Sequence, residues 1–372
     1  MPFSHGQVVE TEDICNRQQE IQRLHAIIKN NGRAVVYGRR RFGKSSVLKN
    51  IICQEFSQNN QRALGMYVDL FQVASDDDAA KRLHSAISKS LSYKVSLKHL
   101  WNNIVSSIRN FTVELSYEPL TNEPSISLVP RGRHKQQNLD DLFALIRSMS
   151  KQDPVLLILD EFQDIVAVPG LEAKLRTELQ QLKGTVILSG SKRHVLNEML
   201  SNEQRPFYGF GSDIEFGSIA LKDWHPFIKK RFAEAHIKIA QTETAEILQL
   251  MEDVPNAIQE LCQWLYDTRP RHTLTQVDIH RAVSEILESK ASRFMERIVH
   301  LRPKERQVLI GLAQQQPVAK INQTQFVQAT GVSASGIQAA VKRFYDQGMV
   351  DRSEKGYFLV DPLFRLYLAK TA

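Results

Sequence analysis

The residues best equipped for chemistry are Gly38-Arg39-Arg40-Arg41-Phe42-Gly43-Lys44-Ser45, which complete the spacing G-x-x-x-x-G-K-S. Glycines at its first and sixth positions let the backbone curl so that N–H groups converge on phosphate oxygens. The positive end of a following helix, which Ser46 helps to open, reinforces that attraction. Lys44 is placed to reach the β- and γ-phosphates of a nucleoside triphosphate, and the Ser45 hydroxyl to ligate Mg²⁺. The arginines inside the loop either screen phosphate charge or turn to solvent. A second candidate is Leu156-Leu157-Ile158-Leu159-Asp160-Glu161, an apolar run that ends in two acids. Asp160 suits a magnesium carboxylate, and Glu161 a base that polarises water for in-line attack on a γ-phosphate. Asp164, one turn on, reads as a solvated acid or a cap. In Ser189-Gly190-Ser191, the Ser189 hydroxyl either senses the γ-phosphate and orients water or caps a helix beginning near Arg193. Arg193 and Arg205 both lie where a transition-state finger would be expected, and spacing does not choose between them.

The elements that must position these groups follow from apolar periodicity. Ala34-Val35-Val36-Tyr37 reads as a buried strand, and Val47, Leu48, Ile51 and Ile52 fall at helical spacing, so strand, glycine loop and helix follow in order. Further strands are expected at 65–71, 154–159 and 185–190. Helices are expected within 12–30, where Ile21, Leu24, Ile27 and Ile28 share a face, and at 77–91, 139–149 and 171–182. Strands alternating with helices imply an α/β fold with a parallel sheet flanked by helices. Residues 111–129 alternate around a Pro119 to Pro124 turn and read as an inserted hairpin, followed by the basic, exposed loop Arg131-Gly132-Arg133-His134-Lys135.

From Trp224 to about Glu288 the pattern is wholly helical. Helices near 304–313, 323–329 and 334–346 then precede strands at 349–352 and 357–360, the layout of a winged helix, with Gly331 free to take positive φ in the turn. Expected domain boundaries are therefore 1–220, 221–300 and 301–372. On the candidate recognition helix, Ser335, Gln338, Lys342 and Arg343 are polar, while Ile337, Val341 and Phe344 face inward. Lys342 and Arg343 suit phosphates of duplex DNA and Gln338 a base edge, with Arg352 and Lys355 on the wing. The competing reading is an ordinary solvated face or a protein contact.

Composition narrows the class. A chain of 372 residues requires two or three domains, and 42% hydrophobic with 24% charged residues describes a soluble globular protein. No apolar run approaches the roughly 20 residues needed to span a bilayer, and the first residues show neither a basic nor an apolar leader segment. Cys15, Cys53 and Cys262 have no metal spacing, which fits a reducing cytoplasm. The net charge of +7, from 48 basic and 41 acidic residues, allows an anionic partner, while most of these charges read as a solvated surface. The three tryptophans, Trp101, Trp224 and Trp264, read as core anchors.

Several motifs, in order, carry a family resemblance. Asn16-Arg17-Gln18-Gln19-Glu20-Ile21 is similar to a "GRxxEI" box; next come the glycine loop, Leu159-Asp160-Glu161-Phe162-Gln163, Ser189-Gly190-Ser191, Pro206-Phe207-Tyr208-Gly209 and the closing Asp361-Pro362-Leu363-Phe364-Arg365-Leu366-Tyr367. Together they resemble the archaeal-type ATPase family, within the STAND/AAA+-like branch of P-loop NTPases and similar in layout to Orc-type initiators. The resemblance implies ATP as the nucleotide, bound with Mg²⁺ between the α/β domain and a helical lid. It brings Arg17 near the adenine and Pro255, retained from a "GGxP" segment, against the base. It implies a switch ATPase whose winged helix contacts DNA, a protein partner or another copy of the chain. The chain departs from the pattern at Phe210, where relatives often carry Arg, at Asn16 in place of Gly, and at Glu252-Asp253 in place of the paired glycines. The Phe210 departure favours an alternative: a regulator or scaffold that binds nucleotide and hydrolyses it slowly or not at all.

Overall fold

The computed structural model describes residues 2–6, 9–92, 111–117, 124–130, 138–191, 193–268 and 272–370. Its strands, in chain order, are β1 (Arg33–Tyr37), β2 (Leu64–Asp69), β3 (Phe111–Tyr117), β4 (Pro124–Pro130), β5 (Val155–Asp160), β6 (Thr185–Gly190), β7 (Ser212–Glu215), β8 (Val350–Ser353) and β9 (Gly356–Leu359). Five of these form one sheet in the order β2-β5-β6-β1-β7, with every neighbouring pair parallel. This is the expected α/β arrangement with one added strand. The segment Ser-Asp-Ile-Glu of β7 offers only Ile214 to the core, so it carries no periodic signal of its own. It forms because the free edge of β1 accepts it.

Period-2 alternation explains the layers. Leu156, Ile158, Ile187, Ala34 and Val36 point to one face, where they meet Leu24 of the helix Gln18–Lys29 and Val47, Leu48, Ile51 and Ile52 of the helix after the glycine loop. Met66, Val68, Leu157, Leu159, Val186 and Leu188 point to the other face, against the helices Asp76–Ser92, Leu139–Met149 and Leu171–Gln180. Having helices on both faces is why these strands are apolar throughout. The helix after the loop is continuous but not uniform: an α-helical turn at Lys44–Ser46, a π-helical stretch at Val47–Cys53, then α-helix again at Gln54–Asn59. Nothing in its apolar spacing marks the π stretch.

β3 and β4 pair antiparallel from Phe111 with Pro130 to Tyr117 with Pro124, apart from the main sheet, as the inserted hairpin requires. Its turn, the basic loop at 131–135 and Trp101 lie outside the described residues. The chain divides into two compact units, residues 8–39 with 43–217, and residues 1–7, 40–42 and 218–372. The second unit is helical from Leu221–Glu234 through Gln241–Leu250, Pro255–Thr268, Gln276–Ser289 and Ala291–Val299. There Trp224 is fully buried and Trp264 donates to Glu285. The helices Pro303–Gln315, Thr324–Thr330 and Ala334–Asp346 follow, then the antiparallel pair β8–β9 and a last helix, Pro362–Lys370. Gly331 takes the expected left-handed conformation, φ 64°, at the end of Thr324–Thr330. No helix among the described residues is long and apolar enough to cross a membrane.

Candidate nucleotide site

The parallel sheet brings the chemical residues together because they occupy the carboxyl ends of strands. The glycine loop leaves β1, Asp160 ends β5, and β6 lies between them with Ser189 and Gly190 opposite Val36 and Tyr37. Gly43 sits at φ 85°, which an L side chain rarely adopts, and starts the helix whose first residue is Lys44. Gly38 is required for a different reason: a Cβ there would stand 2.5 Å from the carbonyl oxygen of Phe216. Arg41 also takes positive φ, 66°, so the loop curls over its middle without a third glycine. Lys44 is 5% exposed, and its Nζ donates to the carbonyls of Gly38 at 2.9 Å and Arg39 at 3.1 Å. These are neutral acceptors, which an anionic phosphate oxygen outcompetes. Arg39 and Arg40 are half-buried, Arg41 exposed and Phe42 buried. Ser46 is buried and its Oγ accepts the N–H of Val9 at 3.2 Å.

Asp160 shares a face with Leu156 and Ile158, which is the face of the loop helix, and its carboxylate therefore emerges beside the start of that helix. The Ser45 hydroxyl donates to Asp160 Oδ2 at 2.6 Å, the Tyr67 phenol donates to the same oxygen, and the Glu161 N–H donates to Oδ1 at 3.0 Å. Burial first, then the charge of Asp160 and its hydrogen bond, pushes the Tyr67 hydroxyl up, so it remains a donor. A hydroxyl and a carboxylate in contact, with only oxygen ligands, fit a hard cation completed by phosphate oxygens and water. Among the described residues no cluster of three or more His, Cys, Asp or Glu forms a metal cage, and a magnesium shared with a nucleotide needs none.

Glu161 sits in the left-handed region, φ 50° and ψ 39°, and begins the 3₁₀ turn Phe162–Ala167. That turn swings its carboxylate onto two donors, Gln163 Nε2 at 2.6 Å and Ser191 Oγ at 2.9 Å, both on Oε2. Asp164, read from sequence as solvated or capping, accepts the backbone N–H of Gln72 at 2.9 Å and a bond from Gln163. Ser189 is fully buried, its Oγ has no hydrogen-bond partner, and it meets neither Glu161 nor Asp160. Sequence reasoning did not single out Tyr67, Gln163 or Ser191 as site residues. Gln163 and Ser191 each close one of the motifs quoted above, two residues beyond a named candidate, while Tyr67 carried no signal of its own.

Arg17 is 4% exposed, paired with Glu20 at 2.8 Å and stacked 5.1 Å from the Phe216 ring centre. Pro255 is buried at the first turn of Pro255–Thr268, in the other unit. Phe210 is 6% exposed, with its ring 5.3 Å from that of Phe207 in the core. Of the candidate fingers, Arg205 is bound to Glu172 at 2.9 Å; the side chain of Arg193 lies outside the described residues.

On the helix Ala334–Asp346, Ser335, Gln338, Lys342 and Arg343 are all exposed, as their spacing requires. Two are engaged within the unit: Lys342 with Asp346 at 3.3 Å and Arg343 with Glu305 at 2.7 Å. The Arg302 N–H, followed by Arg343, holds the Glu305 carboxyl below its ordinary range.

Comparison with known proteins identifies the family and the fold. A family model described as an ATPase domain predominantly from Archaea matches residues 14–261, and one described as a probable winged helix domain matches residues 292–370. No curated protein matches the chain. Among solved structures, a Walker-type ATPase of Pyrococcus abyssi is 19% identical, with 99% of each chain covered and a TM-score of 0.67. The Aeropyrum pernix ORC1 protein, solved in complex with DNA, is 14% identical over 98% of this chain and 94% of that one, with a TM-score of 0.52. The ADP form of the Aeropyrum pernix ORC2 protein is 16% identical over 99% and 100%, with a TM-score of 0.53. At these identities the structures establish the shared fold. The family model spans most of the chain and contains every residue of the nucleotide site described above, and the chain belongs to the family of ATPase domains found predominantly in Archaea.

Proposed function

We propose that the chain is a Mg²⁺-dependent switch ATPase that binds ATP on the loop 38–45 and couples its state to the winged helix. The observation that carries this reading is the pairing of Ser45 with Asp160 at 2.6 Å beside a Glu161 carboxylate held by Gln163 and Ser191. Ser45 and Asp160 would hold Mg²⁺, which when bound neutralises charge on the β- and γ-phosphates. Lys44 leaves the carbonyls of Gly38 and Arg39 for the phosphates. Backbone N–H groups of Arg39, Arg40, Arg41, Phe42 and Gly43 cradle the phosphate oxygens. Glu161 accepts a proton from the attacking water, with its carboxylate aimed by its two donors. Arg17 lies toward the base side of the nucleotide. Lys44→Ala should abolish ATP binding, and Glu161→Gln should retain binding while stopping turnover. Unchanged turnover in both variants would refute the assignment.

A second reading has its own support: slow hydrolysis by a regulator whose winged helix makes protein contacts. Phe210 is a core residue, Arg205 is committed to Glu172, and Lys342 and Arg343 are each paired with an acid. Single-turnover ATP hydrolysis with and without duplex DNA separates the readings. Stimulation by DNA supports the first, and persistent nucleotide occupancy in both conditions supports the second.

A further inference from the structure

We propose that the groove along the free edge of β2 is a docking channel for an extended acidic peptide of a partner protein, which adds to the sheet as a further strand. Among the described residues, β2 ends the five-stranded sheet and pairs with β5 alone. The Leu64 N–H donates to Pro154 and the Leu70 N–H to Asp160, so the even-numbered residues of this strand face β5. Alternation in a parallel ladder then directs the N–H and C=O groups of Gly65 and Tyr67 to the outer side. They open into a cavity of about 1100 Å³ walled by the helix Gln54–Asn59 and the turns before it on one side and by Asp76–Ser92 on the other. Its inner end reaches Ser45 and three acids, Asp69, Asp160 and Glu161, so the positive charge lies along the outer part of the groove.

The charge of the walls selects the occupant. Lys81 and Lys89 line the cavity two helical turns apart, separated by about 12 Å at the rise of an α-helix, and Lys49 lines the opposite wall. Lys49 and Lys89 both act electrostatically on Cys53, which also lines the cavity. None of these three lysines has an ion-pair partner among the described residues. Arg82, by contrast, is held by Asp78 and by the carbonyls of Asp69 and Phe71, which closes off the end of the strand. Ser90 adds a buried polar group on the same wall, 5% exposed and with its Oγ unpartnered. Lysines spaced this far apart suit an extended polyanion better than a single phosphate. A strand edge presents donors and acceptors in alternation, and a peptide backbone satisfies both, whereas a phosphodiester chain offers acceptors alone. Carboxylates on every second residue would meet the lysines.

Docking would also be felt at Asp160, because Tyr67 in the groove floor donates to that carboxylate; this consequence rests on the proposed role of Asp160, while binding itself does not. The test uses the full chain without nucleotide. A fluorescein-labelled octapeptide alternating Val and Asp should bind, as read by anisotropy. The Lys81→Glu, Lys89→Glu double variant, altered only at exposed positions, should bind it about tenfold more weakly, as two reversed surface charges predict. N-methylation of alternate peptide residues on one edge should abolish binding, and hydrogen exchange at Gly65 and Tyr67 should slow when the unmodified peptide is bound. Equal affinity for a Val-Lys octapeptide, indifference to N-methylation, unchanged exchange at both amides, or a single-stranded oligonucleotide that displaces the peptide would each overturn the proposal.

Discussion

Ser191 and Gln163 make the sharpest test of how Glu161 is aimed. Ser191→Ala removes the donor at 2.9 Å, and Gln163→Leu the donor at 2.6 Å, from the same oxygen, Oε2. A hydrogen bond to a charged acceptor contributes about 1.5–3 kcal/mol, which corresponds to roughly 10- to 150-fold in rate if it is felt wholly in the transition state. Glu161 is only half-buried, so water can replace one lost donor, and the expectation for each single variant is the low end, about tenfold. The double variant should fall further but short of the product, since the two donors share one acceptor. The backbone at Glu161 stays pinned in both, because its N–H donates to Asp160 at 3.0 Å. The assay is single-turnover hydrolysis at saturating ATP and Mg²⁺, with nucleotide affinity measured separately by a fluorescent analogue. A rate within twofold of the parent in both variants, or a loss confined to affinity, would refute the positioning argument.

Three other outcomes are expected. Gly38→Ala places a Cβ 2.5 Å from the Phe216 carbonyl, so urea unfolding should show a loss of about 1–3 kcal/mol together with weakened nucleotide binding. Burial pushes the Cys53 thiol from its ordinary 9.0 to about 12, so the unfolded chain ionises first as pH rises; the associated stability is complete below about pH 9 and is lost progressively toward 12. Denaturation midpoints of the parent should therefore fall more steeply over that range than those of Cys53→Ala. Glu305→Ala frees Arg343 at the cost of a helix-capping acceptor, and anisotropy against duplex DNA should show tighter binding with a salt slope steeper by about one.

What was legible in the sequence was whatever periodicity or a fixed motif encodes. The buried strands β5 and β6 show as unbroken apolar runs because helices cover both their faces. The glycine loop shows because its backbone needs glycine at φ 85° and at the close approach to Phe216. Strand β7 did not show, since a four-residue edge strand with one buried side chain has no period to read. Tyr67 could not be assigned to the site from its own strand. Its phenol meets Asp160 only because β2 and β5 pair in the register that sets Asp69 opposite Asp160, a relation between residues 93 apart in the chain. The sequence named Ser189, which is fully buried, whereas the geometry brings Ser191, one residue past the end of β6, to Glu161; strand alternation gives no position for a side chain beyond the strand.

The departures from the family pattern make physical sense once backbone conformation is considered in place of residue identity. Glycine is used where φ must be positive, and this chain keeps positive φ at the positions where it lacks the glycine: Asn16 at 54°, Glu252 at 51° and Asp253 at 56°. Asn and Asp tolerate the left-handed region best among residues with a side chain, which accounts for two of the three. Glu252 has no such tolerance, and residues held there cost of order 1–3 kcal/mol unless their surroundings fix them. Its carboxylate supplies the offset, since it is paired with Arg365 and accepts Gln316 Nε2 at 2.8 Å and 3.0 Å, joining the turn before Pro255–Thr268 to the closing helix Pro362–Lys370. A glycine would relax the turn and remove that link. The substitution exchanges backbone ease for a fixed connection within the helical unit, so the second unit of this chain is more tightly tied internally than the glycine pattern alone would make it.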